Sequence, residues 1–184
     1  MHTAPNLVLV GPMGAGKTAL GKRLAAHYGL RFVDLDAEIE RRAGATVTMI
    51  FQHDGEAGFR RRERTLLAEL LDGDGQLIAT GGGAVLDPAS RARMRERGFV
   101  VWLKVDIEQQ LARLARDRSR PLLAGDDREQ VLRRLAAERG PLYAECAHLV
   151  FAPLQPTPRE AAAALAEALA TAWQPPAPHA LPAA

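Results

Sequence analysis

A glycine-rich octapeptide, GPMGAGKT at residues 11–18, constrains the fold more than any other feature of the chain. It follows the apolar run 7–10 and precedes a segment in which Leu20, Leu24 and Tyr28 recur at helical spacing. The octapeptide satisfies G-x-x-x-x-G-K-[ST], in which glycines allow a tight turn with several backbone N–H groups aimed at one anion. We therefore predict a buried strand, a phosphate-binding loop and a helix, in that order.

The residues of this loop suit a nucleoside triphosphate. The backbone N–H groups of Gly14, Ala15 and Gly16 would surround the phosphates, with help from the dipole of the following helix. Lys17 would carry positive charge to the β- and γ-phosphates, and Thr18 would offer its hydroxyl to Mg²⁺. The motif alone leaves open a kinase, a GTPase, an ATPase motor and a nucleotide-gated binding protein.

Short apolar runs alternate with helical patterns along the chain, which predicts an α/β fold. Runs 7–10 and 99–103 are the clearest strands, and runs 77–80, 148–151 and 31–33 are weaker ones. Helical periodicity occupies the intervals between them, and Asp106 is a candidate N-cap. Strand and helix in repetition indicate a parallel sheet covered by helices.

Length and composition favour one globular domain over residues 1–173. Residues 174–184 are rich in proline and alanine and are predicted to be a disordered tail. The net charge of +2, the single cysteine and the absence of a long apolar run predict a cytoplasmic protein without nucleic-acid or membrane partners. Residues 118–127 interrupt the helical pattern and are predicted to be a mobile lid, or alternatively an ordinary surface loop.

Two carboxylates in the stretch FVDLDAEIE are candidates for catalysis. If the strand continues that far, Asp34 and Asp36 lie on one side of it, near the phosphate loop. One carboxylate would then hold Mg²⁺ and the other would accept a proton from a hydroxyl nucleophile. The alternative is that Asp36 is only the N-cap of the next helix.

Arginines and glycines further along could form an acceptor site. Arg60 and Glu63 are three residues apart on a predicted helix and can pair, whereas Arg61 and Arg62 must largely face solvent. The run of glycines at 81–83 would let a ligand lie against the backbone, or would form only a tight turn. Arg120 and Arg139 are individually ambiguous, because most arginines are surface charges. The candidates for the acceptor site are Arg60, Gly81, Gly82, Gly83 and Arg139. Arg120 lies on the predicted lid, where it could neutralise charge that develops on a transferring phosphoryl group.

Taken in order, the motifs GPMGAGKT, DLD, GEAGFRRRE, GGG, RPLL and RGPLY resemble the shikimate kinase family over roughly residues 5–170. The resemblance implies the fold of the nucleoside-monophosphate-kinase-like P-loop proteins, with three layers, a five-stranded parallel sheet in the order 2-3-1-4-5 and a mobile lid. It also implies a monomeric ATP-dependent kinase that uses Mg²⁺ to phosphorylate the 3-hydroxyl of shikimate, on the route to chorismate.

The same resemblance implies roles for individual residues. Asp36 would bind the substrate hydroxyls and act as base, Arg60 and Arg139 would hold the shikimate carboxylate, and the glycines at 81–83 would border the substrate. Asp34 would join Thr18 at Mg²⁺. Lys17 and the lid arginine Arg120 would act on the phosphates during transfer, and Arg113 would flank the adenine.

Departures from the family pattern concern the nucleotide side. Ala19 stands where the family commonly has a second hydroxyl, so only its backbone N–H would contact phosphate, and FAPLQPTP lacks the usual acidic pattern near adenine. The alternatives are another small-metabolite kinase, for gluconate or a nucleotide, and a non-catalytic nucleotide-binding regulatory protein.

Overall fold

The computed structural model describes residues 2–115, 121–123 and 127–175. Its main sheet has five strands, all parallel, in the spatial order β2-β3-β1-β4-β5. The strands are β1 (Asn6–Val10), β2 (Arg31–Asp34), β3 (Gln76–Ala79), β4 (Gly98–Leu103) and β5 (Leu149–Phe151). The α/β class predicted from the sequence is therefore confirmed, and the observed strand order is the order 2-3-1-4-5 that the family resemblance implied.

Helices cover both faces of this sheet. They are α1 (Lys17–Tyr28), α2 (Leu35–Ala43), α3 (Val47–Asp72), α4 (Pro88–Arg97), α5 (Ile107–Leu114), α6 (Arg128–Cys146) and α7 (Pro158–Ala172). A 3₁₀ turn occupies Pro121–Leu123. The backbone of α3 departs from helical geometry at Gly55, where φ is 68° and ψ is 175°, so this segment is two helices joined at a kink.

The central strand shows why the fold has three layers. Leu7 and Leu9 pack into one apolar cluster with α1 and α7, whereas Val8 and Val10 pack into the other cluster with α2, α3 and α6. Side chains on a strand alternate between the two faces of the sheet, so the uninterrupted apolar run 7–10 must be covered on both sides. All five residues of β1 are buried.

Helix caps set several of the element boundaries. Asp106 accepts a hydrogen bond from the backbone N–H of Gln109 at 2.7 Å, which confirms its predicted N-cap role at the start of α5.

The predicted third strand is displaced by one residue. Thr80 follows β3 rather than ending it, and both its N–H and its hydroxyl donate to the carbonyl of Leu9.

The first and last strands that the structure describes pair with each other. The two-residue strands His2–Thr3 and Trp173–Gln174 pair in parallel, and the indole N–H of Trp173 donates to the carbonyl of Ala4 at 3.1 Å. Of the predicted tail, residues 176–184 lie outside the described part of the chain. So do residues 116–120 and 124–126, which include most of the predicted lid and Arg120. None of the described helices is long and apolar enough to cross a membrane.

Candidate active site

The phosphate loop joins the carboxyl end of β1 to the start of α1. Gly16 is the N-cap of α1 and has a left-handed backbone, with φ of 90°, which a residue with a side chain rarely adopts. No acidic side chain lies in the first turn of the helix, so its free N–H groups and dipole favour an anion at this end. The ammonium of Lys17 lies over the loop and donates to the carbonyls of Gly11 and Pro12 at 2.7 and 2.8 Å.

Asp34 connects this loop to β2. The hydroxyl of Thr18 donates to Asp34 Oδ2 at 2.6 Å, while Asp34 Oδ1 accepts a hydrogen bond from the N–H of Ala37 at 3.2 Å. Asp34 is therefore the N-cap of α2, and the chain becomes helical from Leu35 onward. The expectation that Asp34 and Asp36 share one side of a strand is wrong, and the N-cap role considered for Asp36 belongs to Asp34.

Asp36 lies in the first turn of α2 and points toward the triple-glycine loop, residues 81–83. A Cβ added to Gly81 would lie 2.8 Å from Asp36 Oδ1 and 2.6 Å from Glu63 Oε1. Any side chain at this position would therefore displace a carboxylate. Two acidic side chains from different helices meet the same glycine.

Glu63 is buried, with 3% of its surface exposed, and it pairs with Arg60 as the spacing predicted. Arg60 Nη1 donates to Glu63 Oε2 at 2.7 Å, and Arg60 Nη2 donates to Glu56 Oε1 at 3.0 Å. Burial raises the pKa of Glu63, while the charge and hydrogen bond of Arg60 oppose that effect. Burial alone would lower the pKa of Arg60, but Glu63 and Glu56 outweigh it and the pKa is raised.

The guanidinium of Arg60 lies against the triple-glycine loop. A Cβ on Gly83 would come within 2.3 Å of its carbon, so glycine is required for this close approach. The neighbouring Arg61 and Arg62 are exposed, as their position in the sequence predicted.

Arg139 reaches the same loop from α6 and is 5% exposed. A Cβ on Gly82 would lie 3.6 Å from both Arg139 Nη1 and the hydroxyl of Tyr143. The Tyr143 hydroxyl donates to the carbonyl of Gly82 at 2.5 Å. Burial raises the pKa of Tyr143 well above its ordinary value, so the phenol stays protonated.

Together these elements form one cleft with a side chamber. The cleft has a volume of about 580 Å³, and the chamber of about 60 Å³ opens beside the triple-glycine loop. Both are bordered by Met13, Asp36, Val47, Gly81 and Gly82. The cleft is further lined by Gly14, Gly16, Lys17, Thr18, Ala19, Asp34 and Arg113, and the chamber by Phe59, Arg60, Gly83 and Arg139.

The structure thus brings together nearly all the candidate site residues that it describes. Arg113 lines the cleft and donates from Nη1 to the carbonyl of Gly14 at 3.0 Å. Ala15 is buried in the apolar cluster beneath α1, so its backbone rather than its methyl group is available to a ligand. Arg120 lies outside the described residues, so its position relative to the cleft stays a prediction.

Sequence reasoning missed the contribution of two buried side chains, Glu63 and Tyr143, which contact the triple-glycine loop behind the lining of the site. Glu63 was expected only as the partner of Arg60, and Tyr143 was given no role. The signal for Tyr143 was its distance of four residues from Arg139, which places two side chains on the same face of a helix. The signal for Glu63 was the three-residue spacing that placed it beside Arg60.

The donor set beside the phosphate loop fits Mg²⁺. Thr18 and Asp34 supply a hydroxyl and a carboxylate oxygen that already face each other. Magnesium is commonly held by one or two such protein ligands, with water and substrate phosphates completing an octahedron. Among the described residues there is no group of three or more His, Cys, Asp or Glu side chains that could hold a metal by themselves.

A phosphate-binding loop that faces a chamber walled by two arginines and a carboxylate defines the chain as a P-loop kinase for a small acceptor. Comparison with known proteins identifies the family: the sequence model described as shikimate kinase matches residues 13–170. The chain belongs to the shikimate kinase family, and it is an ATP-dependent kinase.

Relatives in both sequence and structure agree. The shikimate kinase of Stenotrophomonas maltophilia is 56% identical over 95% of this chain and 97% of its own, and that of Xanthomonas euvesicatoria pv. vesicatoria is 53% identical over the same shares. The structure of a shikimate kinase from Acinetobacter baumannii in complex with shikimate superposes with a TM-score of 0.88. It is 45% identical and covers 91% of this chain and 94% of its own.

Proposed function

We propose that this chain transfers the γ-phosphate of ATP to the 3-hydroxyl of shikimate, giving shikimate 3-phosphate and ADP. The observation that carries the proposal is the meeting of Arg60 and Arg139 at the triple-glycine loop, in a chamber continuous with the phosphate-loop cleft. The likeness to a shikimate kinase in complex with shikimate supports the same substrate.

The chamber, together with the adjoining part of the cleft, suits a small ring with one carboxylate and several hydroxyls. Two guanidinium groups can hold a carboxylate through paired hydrogen bonds, and Arg60 and Arg139 are the candidates for this role. The glycines at 81–83 allow the ring to lie against the backbone. Asp36 borders both the chamber and the cleft, so its carboxylate can accept a hydrogen bond from the hydroxyl that attacks the phosphate.

The cleft would hold the nucleotide. The backbone N–H groups of Gly14, Ala15, Gly16 and Ala19 would bind the phosphates, and the Lys17 ammonium would exchange its two carbonyl partners for phosphate oxygens. Arg113 would flank the adenine. Arg120, on the predicted lid, would reach the phosphates.

Thr18 and Asp34 would hold Mg²⁺ at the phosphates. When bound, the ion neutralises negative charge on the β- and γ-phosphate oxygens. Two side chains can bind one ion only if they lie close together, and the 2.6 Å hydrogen bond between Thr18 and Asp34 supports this.

Catalysis would come mainly from positioning. Phosphoryl transfer passes through a loose transition state, in which the attacking hydroxyl needs little early deprotonation. The arginine pair would fix the carboxylate end of the ring, and Asp36 would orient the 3-hydroxyl toward the γ-phosphate. Such alignment of two bound reactants accounts for a large share of the rate in this class of reaction.

A coupled ADP-release assay with shikimate, gluconate and nucleoside monophosphates tests the proposal. We expect turnover with shikimate alone. Turnover with gluconate or a nucleotide, and none with shikimate, would contradict the proposal in favour of another metabolite kinase. Binding of ATP and shikimate without transfer would favour a regulatory protein.

We further propose that the enzyme works as a monomer in the cytoplasm, without nucleic-acid or membrane partners. Light scattering coupled to size-exclusion chromatography measures the mass directly: one chain is 19.9 kDa. A dimer whose activity falls on dilution would contradict this part of the proposal.

A further inference from the structure

Tyr143 contacts both the triple-glycine loop, which borders the substrate chamber, and Trp102 of β4. Its hydroxyl donates to the carbonyl of Gly82 at 2.5 Å, and the residue is 2% exposed. Its ring stacks on Trp102 with centroids 5.7 Å apart and planes at 29°. The ring is therefore fixed by the core, and only the hydroxyl reaches the triple-glycine loop.

The same hydroxyl lies beside Arg139. The two residues are four apart on α6, and both reach within 3.6 Å of the point where a Cβ on Gly82 would stand. A phenol has one proton to donate and lone pairs with which to accept. It can donate to Gly82 and accept from Arg139, and the positive charge of Arg139 lowers the pKa of Tyr143, in opposition to the larger effect of burial.

A proline interrupts the backbone hydrogen bonding of α6 between Arg139 and Tyr143. Pro141 lies inside α6, between Arg139 and Tyr143, and has no N–H to donate to the preceding turn. Because a backbone hydrogen bond is missing there, a side-chain hydrogen bond to the neighbouring loop helps to fix this part of the helix. The bond from the Tyr143 hydroxyl to the Gly82 carbonyl does so.

We propose that Tyr143 is a positioning residue for substrate binding: its hydroxyl holds α6 against the triple-glycine loop and thereby sets Arg139 at the distance the shikimate carboxylate requires. The inference rests on the proposed function. Tyr143 itself touches neither the nucleotide nor the reacting hydroxyl in this scheme. It acts through Gly82 and Arg139.

Tyr143→Phe tests the proposal, because phenylalanine keeps the ring that stacks on Trp102 and removes only the hydroxyl. We expect the KM for shikimate to rise about tenfold, since an interaction made in both ground and transition states mainly affects binding. The KM for ATP should stay within about twofold, and kcat should fall less than the KM for shikimate rises.

Tyr28→Phe is the matched control. Tyr28 is the only other tyrosine, and its hydroxyl also donates to a backbone carbonyl, that of Ala166 at 3.2 Å, in the packing of α1 against α7. This variant should leave the KM for shikimate unchanged, even if its melting temperature falls as much as that of Tyr143→Phe. Equal KM values for shikimate in the two variants would overturn the positioning role.

A double-mutant cycle separates action through Arg139 from a general effect on the fold. In an Arg139→Ala background, adding Tyr143→Phe should change the KM for shikimate by less than about twofold. A full tenfold change in that background would show that the hydroxyl does not act through Arg139, and would overturn the proposal.

A spectroscopic measurement avoids any loss of folding in Tyr143→Phe. In the Tyr28→Phe protein, biosynthetic incorporation of 3-fluorotyrosine labels Tyr143 alone. Its ¹⁹F resonance should shift on addition of shikimate and not on addition of a non-hydrolysable ATP analogue. An unmoved resonance at saturating shikimate would overturn the proposal. Failure of the unsubstituted enzyme to phosphorylate shikimate would instead overturn the proposed function.

Discussion

Arg60 donates a hydrogen bond of 2.7 Å to the buried carboxylate of Glu63. Of the three consecutive arginines 60–62, Arg60 is thereby directed toward the interior of the protein. A buried carboxylate is costly unless a cation and further hydrogen bonds compensate it. Glu63 therefore holds the guanidinium of Arg60 on the buried side of α3, against the triple-glycine loop. Arg61 and Arg62 have no such buried partner and face solvent.

Replacing Glu63 with Gln should weaken shikimate binding. Glutamine keeps the size of the side chain but removes the charge that fixes Arg60, so the guanidinium gains freedom to move away from the chamber. We expect the KM for shikimate to rise about 5- to 50-fold, with the KM for ATP within about twofold. Steady-state kinetics with each substrate varied in turn measures both effects.

Glu56→Gln is the control for this variant. Glu56 also accepts a hydrogen bond from Arg60, but its side chain is 46% exposed, and exposed ion pairs contribute little. We expect its KM for shikimate to stay within about twofold of the parent value. If Glu56→Gln and Glu63→Gln raise this KM equally, burial of the Glu63 pair is not what positions Arg60.

Asp34→Asn should raise the concentration of Mg²⁺ that the enzyme needs. Asparagine is as good an N-cap as aspartate, so α2 should keep its start, while the negative charge beside Thr18 is lost. We expect the Mg²⁺ concentration for half-maximal activity to rise about tenfold, with activity partly recovered at saturating Mg²⁺. Activity titrated against free Mg²⁺ at fixed ATP provides the measurement.

The matched control is Asp87→Asn, which alters the N-cap of α4 outside the cleft. Its half-maximal Mg²⁺ concentration should equal that of the parent. A normal Mg²⁺ requirement in Asp34→Asn would remove that residue from the metal site. A raised requirement in both variants would point to helix stability as the cause.

The fold was largely predictable because strong local signals agreed with one another. An uninterrupted apolar run, a glycine turn with a lysine near its end and a helical pattern after it leave few arrangements other than a covered parallel sheet. The weaker signals failed at boundaries. The sequence left Asp36 either as a strand residue or as an N-cap, but the strand ends at Asp34, which itself caps α2 by accepting a hydrogen bond from the Ala37 N–H.

The site was predictable only as far as each residue carried a recognisable motif. Glu63 and Tyr143 contribute through neighbours that the fold brings from other elements, namely Gly81, Asp36 and Gly82. Sequence spacing locates a residue on the face of its own helix. It does not tell which loop will meet that face, so their contribution to the chamber had to come from the structure.

Asp36→Asn should lower kcat by at least about 100-fold, while the KM for ATP stays within about threefold. The reason is that Asp36 orients the attacking hydroxyl and accepts its proton, and this contribution matters chiefly in the transition state. Glu40→Gln is the control. Glu40 lines the same cleft, and its Oε1 accepts from the Val47 N–H at 2.8 Å, which glutamine can still do. A near-normal kcat for Asp36→Asn would exclude it from catalysis.

Stability should fall between pH 6.5 and about pH 4 because of His148. Its Nδ1 accepts a hydrogen bond from the Val100 N–H at 2.9 Å, and its ring stacks on Phe99. Burial, with smaller contributions from His2 and Arg95, lowers the pKa of His148 to about 4. The folded state therefore favours the neutral ring. As the pH falls below 6.5 the unfolded chain takes up the proton first, and stability is lost until the folded state protonates as well.

His148→Asn isolates this effect from the titration of the carboxylates, because asparagine can accept the same hydrogen bond and does not titrate. The ring is only partly buried, so after discounting for solvent we expect the parent to lose about 1–2 kcal/mol more than the variant between pH 7 and pH 4.5. Urea unfolding at several pH values gives the two free energies. Parallel curves for parent and variant would show that His148 is not the titrating group.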